Sequence, residues 1–440
     1  MRIERKEYLE QLIRKKQNGM VKVITGIRRS GKSYLLKEIY REYLLANGIS
    51  EEQIIILDLD EIGNARYRNP FEMDVYIRSK ISDSSKMFYV FIDEIQKSSE
   101  VVNPYTNDPN EPITFVDTIL GLQKLKNVDL YVTGSNSKML SSDVLTMFRG
   151  RGDEIRIRPL SYSEFYNAYP DDKRHAWRDY WTYGGMPYVL SLNSHKEKSD
   201  YLQGLFSKIY LKDVLERNNV KNDALVLEDL LNYLSSSIGS LTNPTNLART
   251  FASEKNIRIS NYTIDKYIGY FEDSFLVEKA ERYDVKGRKY ISTPLKYYFA
   301  DPGLRNAKLN FRQMEENHIM ENIIFNELIH RGFNVDVGVV EINGKDENGK
   351  SYRKQLEIDF VANSGSNRYY IQSALNTDSK EKMEQESSSL LKVNDSFRKI
   401  IVQKDDIVSW NDDNGILHVS IEQFLLDNFA IISTSYLKFL

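Results

Sequence analysis

The chain has 440 residues, room for roughly three domains of about 150 each. Apolar residues make up 41%, so disorder is not the default, and 60 basic against 63 acidic residues leave a net charge of −3, so any nucleic-acid surface has to be local. The absence of cysteine excludes disulfides, thiolate zinc sites and a thiol nucleophile; the five scattered histidines argue against a His-rich metal site, and no apolar run is long enough to span a bilayer.

The N-terminus, Met1-Arg2-Ile3-Glu4-Arg5-Lys6-Glu7, is charged and has no apolar signal-peptide segment behind it, which with the cysteine count leads us to expect a cytoplasmic protein without membrane contact. Residues 4–17 read as an amphipathic helix and Met20–Thr25 as a short strand. There follows Gly26-Ile27-Arg28-Arg29-Ser30-Gly31-Lys32-Ser33, which fits the phosphate-binding loop pattern, with a helix leaving it. The glycines let backbone N–H groups turn inward toward an anion, and the helix start adds positive charge there. In that arrangement the loop residues cradle ATP phosphates, Lys32 reaches the β and γ phosphates, and the Ser33 hydroxyl holds Mg²⁺.

Gln53–Asp58 is an apolar run suited to a strand buried on both faces, residues 70–81 read as a helix, and Phe88–Ile92 is a second buried strand ending in Asp93-Glu94. Open α/β sheets bind ligands at the carboxyl ends of their strands. Asp93 is therefore a candidate Mg²⁺ ligand through water, and Glu94 a candidate general base for the attacking water. Ser98–Pro112 reads as a loop, residues 113–126 as a helix and Leu130–Thr133 as a strand closing on Gly134-Ser135-Asn136. A polar side chain of that turn is placed to meet the γ-phosphate or the water; the same three residues also make an ordinary turn. In Phe148-Arg149-Gly150-Arg151-Gly152, Arg149 and Arg151 are candidate arginine fingers, in cis or from a neighbouring subunit, with a solvated basic loop as the alternative. Ile155–Arg158 alternates like a last strand.

These motifs resemble a prokaryotic AAA-type P-loop ATPase family in which an AAA domain precedes a C-terminal domain of unknown function. The likeness is carried by the loop with its paired arginines, by Phe91-Ile92-Asp93-Glu94-Ile95-Gln96, by Thr133-Gly134-Ser135, and by Gly150-Arg151. Pro159-Leu160-Ser161-Tyr162-Ser163-Glu164-Phe165 and Gly184-Gly185-Met186-Pro187 extend it over most of the chain. It implies a sheet with the phosphate-loop strand at its centre, and Ser135 or Asn136 as γ-phosphate sensor.

Ser161–Glu164 fits a helix-starting capping box, and helical periodicity runs from Tyr201 to Leu215 and from Leu225 to Ser237. Residues 240–300 have the order of a winged helix: short helices at Pro244–Phe251 and Thr263–Phe271, then strands around a Lys286-Gly287 turn. Lys286, Arg288 and Lys289 are placed to meet duplex DNA phosphates; the second helix, with Asp265, Lys266, Glu272 and Asp273, is not a basic face, and a protein-packing role is the competing reading.

From Glu316 a helix containing Glu321 and strands near 333–340, 355–362 and 369–374 resemble the restriction-endonuclease-like fold. That likeness implies metal-binding acids at Glu321 and Asp359, but Gln372-Ser373-Ala374 stands where a Glu-x-Lys triplet would, so a nuclease is disfavoured. The sequence thus predicts an α/β fold: a P-loop NTPase parallel-sheet domain at 1–160, a helical lid and winged-helix region at 161–310, and an inactive nuclease-like α/β domain at 311–440. The functional expectation is an ATPase using Mg²⁺-ATP to rearrange its C-terminal parts, the alternative a nucleotide-dependent DNA-binding module. A protein partner or a homo-oligomer is compatible with either.

Overall fold

The computed structural model describes residues 2–106, 108, 110–134, 148, 150–206, 210–218, 220, 223–345, 351–375 and 379–427. The chain forms two compact units, one of Met1–Pro159 with Asp273–Phe275 and one of Leu160–Glu272 with Leu276–Leu440.

The first unit is a five-stranded parallel sheet in the order β2-β3-β4-β1-β5, built from β1 Val21–Thr25, β2 Ile54–Asp58, β3 Phe88–Asp93, β4 Val128–Thr133 and β5 Gly152–Arg156. Every residue of β1 and of β3 is buried, as their apolar runs require when helices cover both faces. The helices are α1 Lys6–Lys15, α2 in three successive segments Lys32–Tyr34, Leu35–Tyr40 and Arg41–Ala46, α3 Pro70–Lys80 and α4 Phe115–Gln123. Tyr8 and Leu12 of α1 and Leu35, Leu36, Ile39 and Tyr40 of α2 pack in one cluster with Ile24, Tyr89, Phe91 and Tyr131 of the sheet. The phosphate-loop strand β1 is interior but not central. It lies between β4 and β5, one strand from the edge. The expected last strand starts earlier than its alternation predicts, because β5 takes its register from β1, with Gly152 opposite Val21.

A buried ion pair crosses this core. Lys22 of β1 is fully buried and pairs with the Asp129 carboxylate. Burial lowers the Lys22 pKa, against the attraction of Asp129. Asp129 also accepts hydrogen bonds from Tyr131 Oη at 2.7 Å and from the Gln17 N–H at 2.9 Å, so the buried charge is enclosed by donors.

In the second unit, Ser161 caps α5 Tyr162–Ala168 and Glu164 returns the bond, completing the expected capping box. The helices α6 Ala176–Tyr183, α7 His195–Leu205, α8 Leu211–Arg217, α9 Ala224–Ser236, α10 Pro244–Glu254 and α11 Asn261–Asp273 follow. The hairpin of β6 Val277–Asp284 and β7 Lys289–Phe299 does not stand as a free wing. It forms one end of an eight-stranded mixed sheet, where β6 pairs in parallel with β8 Asn334–Lys345. The sheet continues through β9 Ser351–Ser364, β10 Asn367–Ala374, β11 Arg398–Gln403, β13 Leu417–Ser420 and β12 Trp410–Asn411. Strands from both sides of residue 310 therefore share one sheet. The helices α12 Pro302–Lys308, α13 Glu316–His330, α14 Lys380–Leu391 and α15 Ile421–Leu426 complete the unit.

Two segments far apart in sequence meet here. Asp301 caps α12 and its carboxylate accepts from the N–H of Gly185 at 2.6 Å and of Leu304 at 2.9 Å. A Cβ on Gly184 would fall 2.1 Å from Asp301 Oδ1, and one on Gly303 would fall 1.9 Å from the Tyr183 carbonyl oxygen, so both positions need glycine. Among the described residues no helix is long and apolar enough to cross a membrane.

Candidate nucleotide site

The loop between β1 and α2 turns on three left-handed residues, Gly26 (φ 132°), Arg29 (φ 71°) and Gly31 (φ 99°), a backbone shape that gathers N–H groups into an anion-binding concavity. Gly26 also passes so close to the next strand connection that a Cβ there would sit 2.0 Å from the Ile157 carbonyl oxygen. Ile27 and Ser30 are buried, Arg28 is half-buried and Arg29 exposed. Lys32 is buried and donates to the carbonyls of Gly26 at 2.9 Å and Ile27 at 3.0 Å, which holds its ammonium over the loop.

Asp93, at the carboxyl end of β3, is brought to the start of α2. Ser33 Oγ donates to Asp93 Oδ1 at 3.0 Å, and Thr133 Oγ1 at the end of β4 donates to the same oxygen. Thr133 also accepts the Glu94 N–H at 3.1 Å, fixing Glu94 in a left-handed conformation (φ 54°) with its carboxylate hydrogen-bonded by Gln96. The loop, Lys32, Ser33, Asp93 and Glu94, singled out by sequence, thus stand together.

Ser135, Asn136 and Arg149 lie outside the described residues. Arg151 lies at the wrong end for a finger in cis. It precedes β5 and its carbonyl accepts the Val21 N–H at 2.9 Å, so it stands a full strand length from the loop, roughly 17 Å at about 3.3 Å per residue. The arginine that β5 delivers to the loop end is Arg156, paired in register with Thr25.

Three residues at this site were missed by sequence reasoning. Lys37 of α2 forms ion pairs with Asp58 of β2 at 2.5 Å and with Asp93 at 2.6 Å. Burial opposes its charge, but its hydrogen bonds to the two carboxylates and their attraction outweigh that and hold its pKa above the ordinary lysine value. Arg5, buried, donates to the Ser30 carbonyl at 3.2 Å and the Arg158 carbonyl at 2.7 Å, bracing the loop from behind. Lys37 carries a faint signal, a basic residue one turn past Ser33; Asp58, at the end of an apolar strand, carries another; Arg5 carries none.

The residues fit Mg²⁺-ATP on two counts. Ser30 Oγ, fully buried within the loop, has no hydrogen-bond partner among the described residues. Ser33 and Asp93 offer two converging hard oxygens, a donor set suited to Mg²⁺ completed by phosphates and water. Among the described residues no group of three or more His, Asp or Glu side chains is arranged to hold a metal ion.

In the second unit the acids expected from nuclease likeness, Glu321 and Asp359, do approach one another, but a buried lysine is paired to the first of them. Lys296 of β7 is buried and pairs with Glu321 at 2.8 Å and Glu357 at 2.7 Å, and Tyr298 Oη donates to Glu321 at 2.6 Å. Asp359 accepts the Ser373 N–H at 2.8 Å, and burial with the nearby Glu321 charge raises its pKa well above the usual range. The basic residues Lys286, Arg288 and Lys289 are exposed at the β6–β7 turn.

A family model described as an AAA domain matches residues 18–166, and one described as a domain of unknown function matches residues 174–315. The chain is 34% identical to an uncharacterised protein of Haemophilus influenzae over 412 residues, covering 91% of this chain and 93% of the relative. It is 27% identical to an uncharacterised protein of Methanocaldococcus jannaschii, covering 88% of this chain and 82% of that one. Among solved structures, a Walker-type ATPase of Pyrococcus abyssi matches 70% of this chain and 96% of its own at 16% identity, with a TM-score of 0.48. The ORC2 protein of Aeropyrum pernix matches 69% of this chain and 90% of its own at 11% identity, with a TM-score of 0.40.

Proposed function

Because this chain belongs to the family in which an AAA domain is followed by this domain of unknown function, we propose that it binds Mg²⁺-ATP at the Gly26–Ser33 loop and hydrolyses the β–γ phosphoanhydride. The observation that carries the reading is the junction of two nucleotide motifs, Ser33 Oγ held 3.0 Å from Asp93 with Glu94 next to it. In this account the loop N–H groups and Lys32 bind the phosphates, while Ser33 and Asp93 hold Mg²⁺. Bound there, the ion supplies positive charge to the leaving phosphate oxygens. Glu94, steadied by Thr133 and Gln96, orients a water and takes its proton. Ser135 or Asn136 contacts the γ-phosphate, and Arg149, or Arg151 from a neighbouring subunit, is the arginine finger. Turnover repositions the C-terminal parts of the chain.

A second reading is favoured by one observation, three cations exposed on a single hairpin turn: Lys286, Arg288 and Lys289 contact duplex DNA phosphates in a nucleotide-dependent manner. A nuclease is not proposed, since Ala374 has no amine and Lys296 is committed to Glu321 and Glu357.

Titration with a fluorescent ATP analogue tests the main reading. Wild type binds it, and Lys32→Ala, checked for folding by circular dichroism, binds at least about tenfold more weakly, a loss of about 1.4 kcal/mol or more. Equal affinity for the two would exclude the loop as the phosphate site.

A further inference from the structure

Strands β2 and β3 end side by side, with Asp58 and Asp93 as register partners. Their carboxylates are bridged by Lys37 Nζ, 2.5 Å from Asp58 Oδ2 and 2.6 Å from Asp93 Oδ2. The other oxygen of Asp93 is engaged separately, accepting from the hydroxyls of Ser33 and Thr133. Asp58 Oδ1 accepts from the Asp60 N–H at 2.9 Å. The bridge is not a loose surface contact: side-chain exposure is 24% for Lys37, 19% for Asp58 and 5% for Asp93.

Two carboxylates on adjacent strand ends, with a serine hydroxyl at the far side of one of them, are a donor set for a pair of divalent ions about 3.5–4 Å apart. Here the position between the carboxylates carries an ammonium instead. We infer that Lys37 is a built-in second cation: it fills the position between Asp58 and Asp93 and so limits the nucleotide site to a single divalent ion, bound at Ser33 and the Oδ1 side of Asp93. This inference rests on the Mg²⁺-ATP reading above. Lys37 acts through Asp93 and is a positioning residue. Its place in the Leu35–Tyr40 segment, where α2 takes the wider π turn, fits that role, since such turns are frequent at functional sites. Removing the ammonium leaves two facing carboxylates with no cation between them, and a second divalent ion restores the balance.

The test counts Mn²⁺ bound per nucleotide, by the electron paramagnetic resonance signal of free Mn²⁺, on the full chain saturated with a non-hydrolysable ATP analogue. Wild type binds one Mn²⁺, and so does Lys37→Arg, which keeps the charge and with it the fold. Lys37→Met binds two, and Lys37→Met with Asp58→Asn returns to one. A second Mn²⁺ on wild type or on Lys37→Arg overturns the inference, as does a single Mn²⁺ on a folded, nucleotide-bound Lys37→Met. Failure of wild type to bind the analogue at all removes the Mg²⁺-ATP reading, and this inference with it; analogue bound with the wrong ion count removes this inference alone.

Discussion

Asp301 is buried, and backbone N–H groups of Gly185, Gly303 and Leu304 point at its carboxylate. Burial outweighs those bonds and pushes its pKa up to about 6 from an ordinary 3.8. The folded chain therefore retains a proton that the unfolded chain has released across that window. The Asp301 contribution to stability is full below the lower value and is lost as pH rises through the upper one. A rise of that size corresponds to about 3 kcal/mol. Urea melts of wild type and Asp301→Asn from pH 4 to 7 should show wild type losing stability relative to the variant by that order as pH rises. A difference that stays flat with pH would exclude the titration. At this scale the sequence was least legible. Of the 29 tyrosines, four show in the fold what their sequence positions do not, a hydroxyl set on a carboxylate: Tyr131 on Asp129, Tyr162 on Glu422, Tyr169 on Asp179 and Tyr370 on Asp395. Each buries an aromatic ring while keeping its hydroxyl bonded. The buried pairing of Lys22 carries no sequence signal, because its partner, Asp129, lies 107 residues away.

Elements were read more surely than single contacts, because an apolar run or a helical period is a local signal. β1, β3 and β4 of the first unit follow directly from such runs, and Asn69 and Ser161 cap their helices as side-chain chemistry dictates. The β6–β7 hairpin was also legible, but not as part of a larger sheet. Its third partner, β8, pairs Val337 with Arg282 from a region with no local tie to it. The strand–loop–helix unit carries a prediction of its own. Gly26→Ala combines a φ of 132° with a Cβ 2.0 Å from the Ile157 carbonyl oxygen, whereas at Gly31 (φ 99°) a Cβ meets nothing within 4 Å. Both alanines cost about 1–3 kcal/mol of backbone strain, and Gly26→Ala adds a backbone clash. Thermal melts with nucleotide titration should therefore rank wild type above Gly31→Ala above Gly26→Ala. A Gly26→Ala protein as stable and as tight in binding as wild type would contradict this loop geometry.

At the scale of the whole chain, sequence motifs pointed to the candidate nucleotide site because the chemistry of phosphate binding constrains residues that are neighbours in sequence. They could not give Lys37, Thr133 and Asp58 their places around Asp93, because that arrangement depends on the order β2-β3-β4-β1 and on the register of Asp58 with Asp93. Nor could they show that strands before and after residue 310 form one eight-stranded sheet. Even so, the motif Gly184-Gly185 and the segment Asp301-Pro302-Gly303, separated by more than a hundred residues, are two halves of one contact. The central claim is that this fold brings a water-activating glutamate to a Mg²⁺-ATP loop. Its most direct test is steady-state ATP hydrolysis by wild type and Glu94→Gln, with analogue binding measured on both. The account predicts turnover by wild type, equal binding by both, and a fall of about 10²–10⁴-fold in the variant. Undiminished turnover by Glu94→Gln, or a wild type that holds ATP with Mg²⁺ and never cleaves it, would contradict the account.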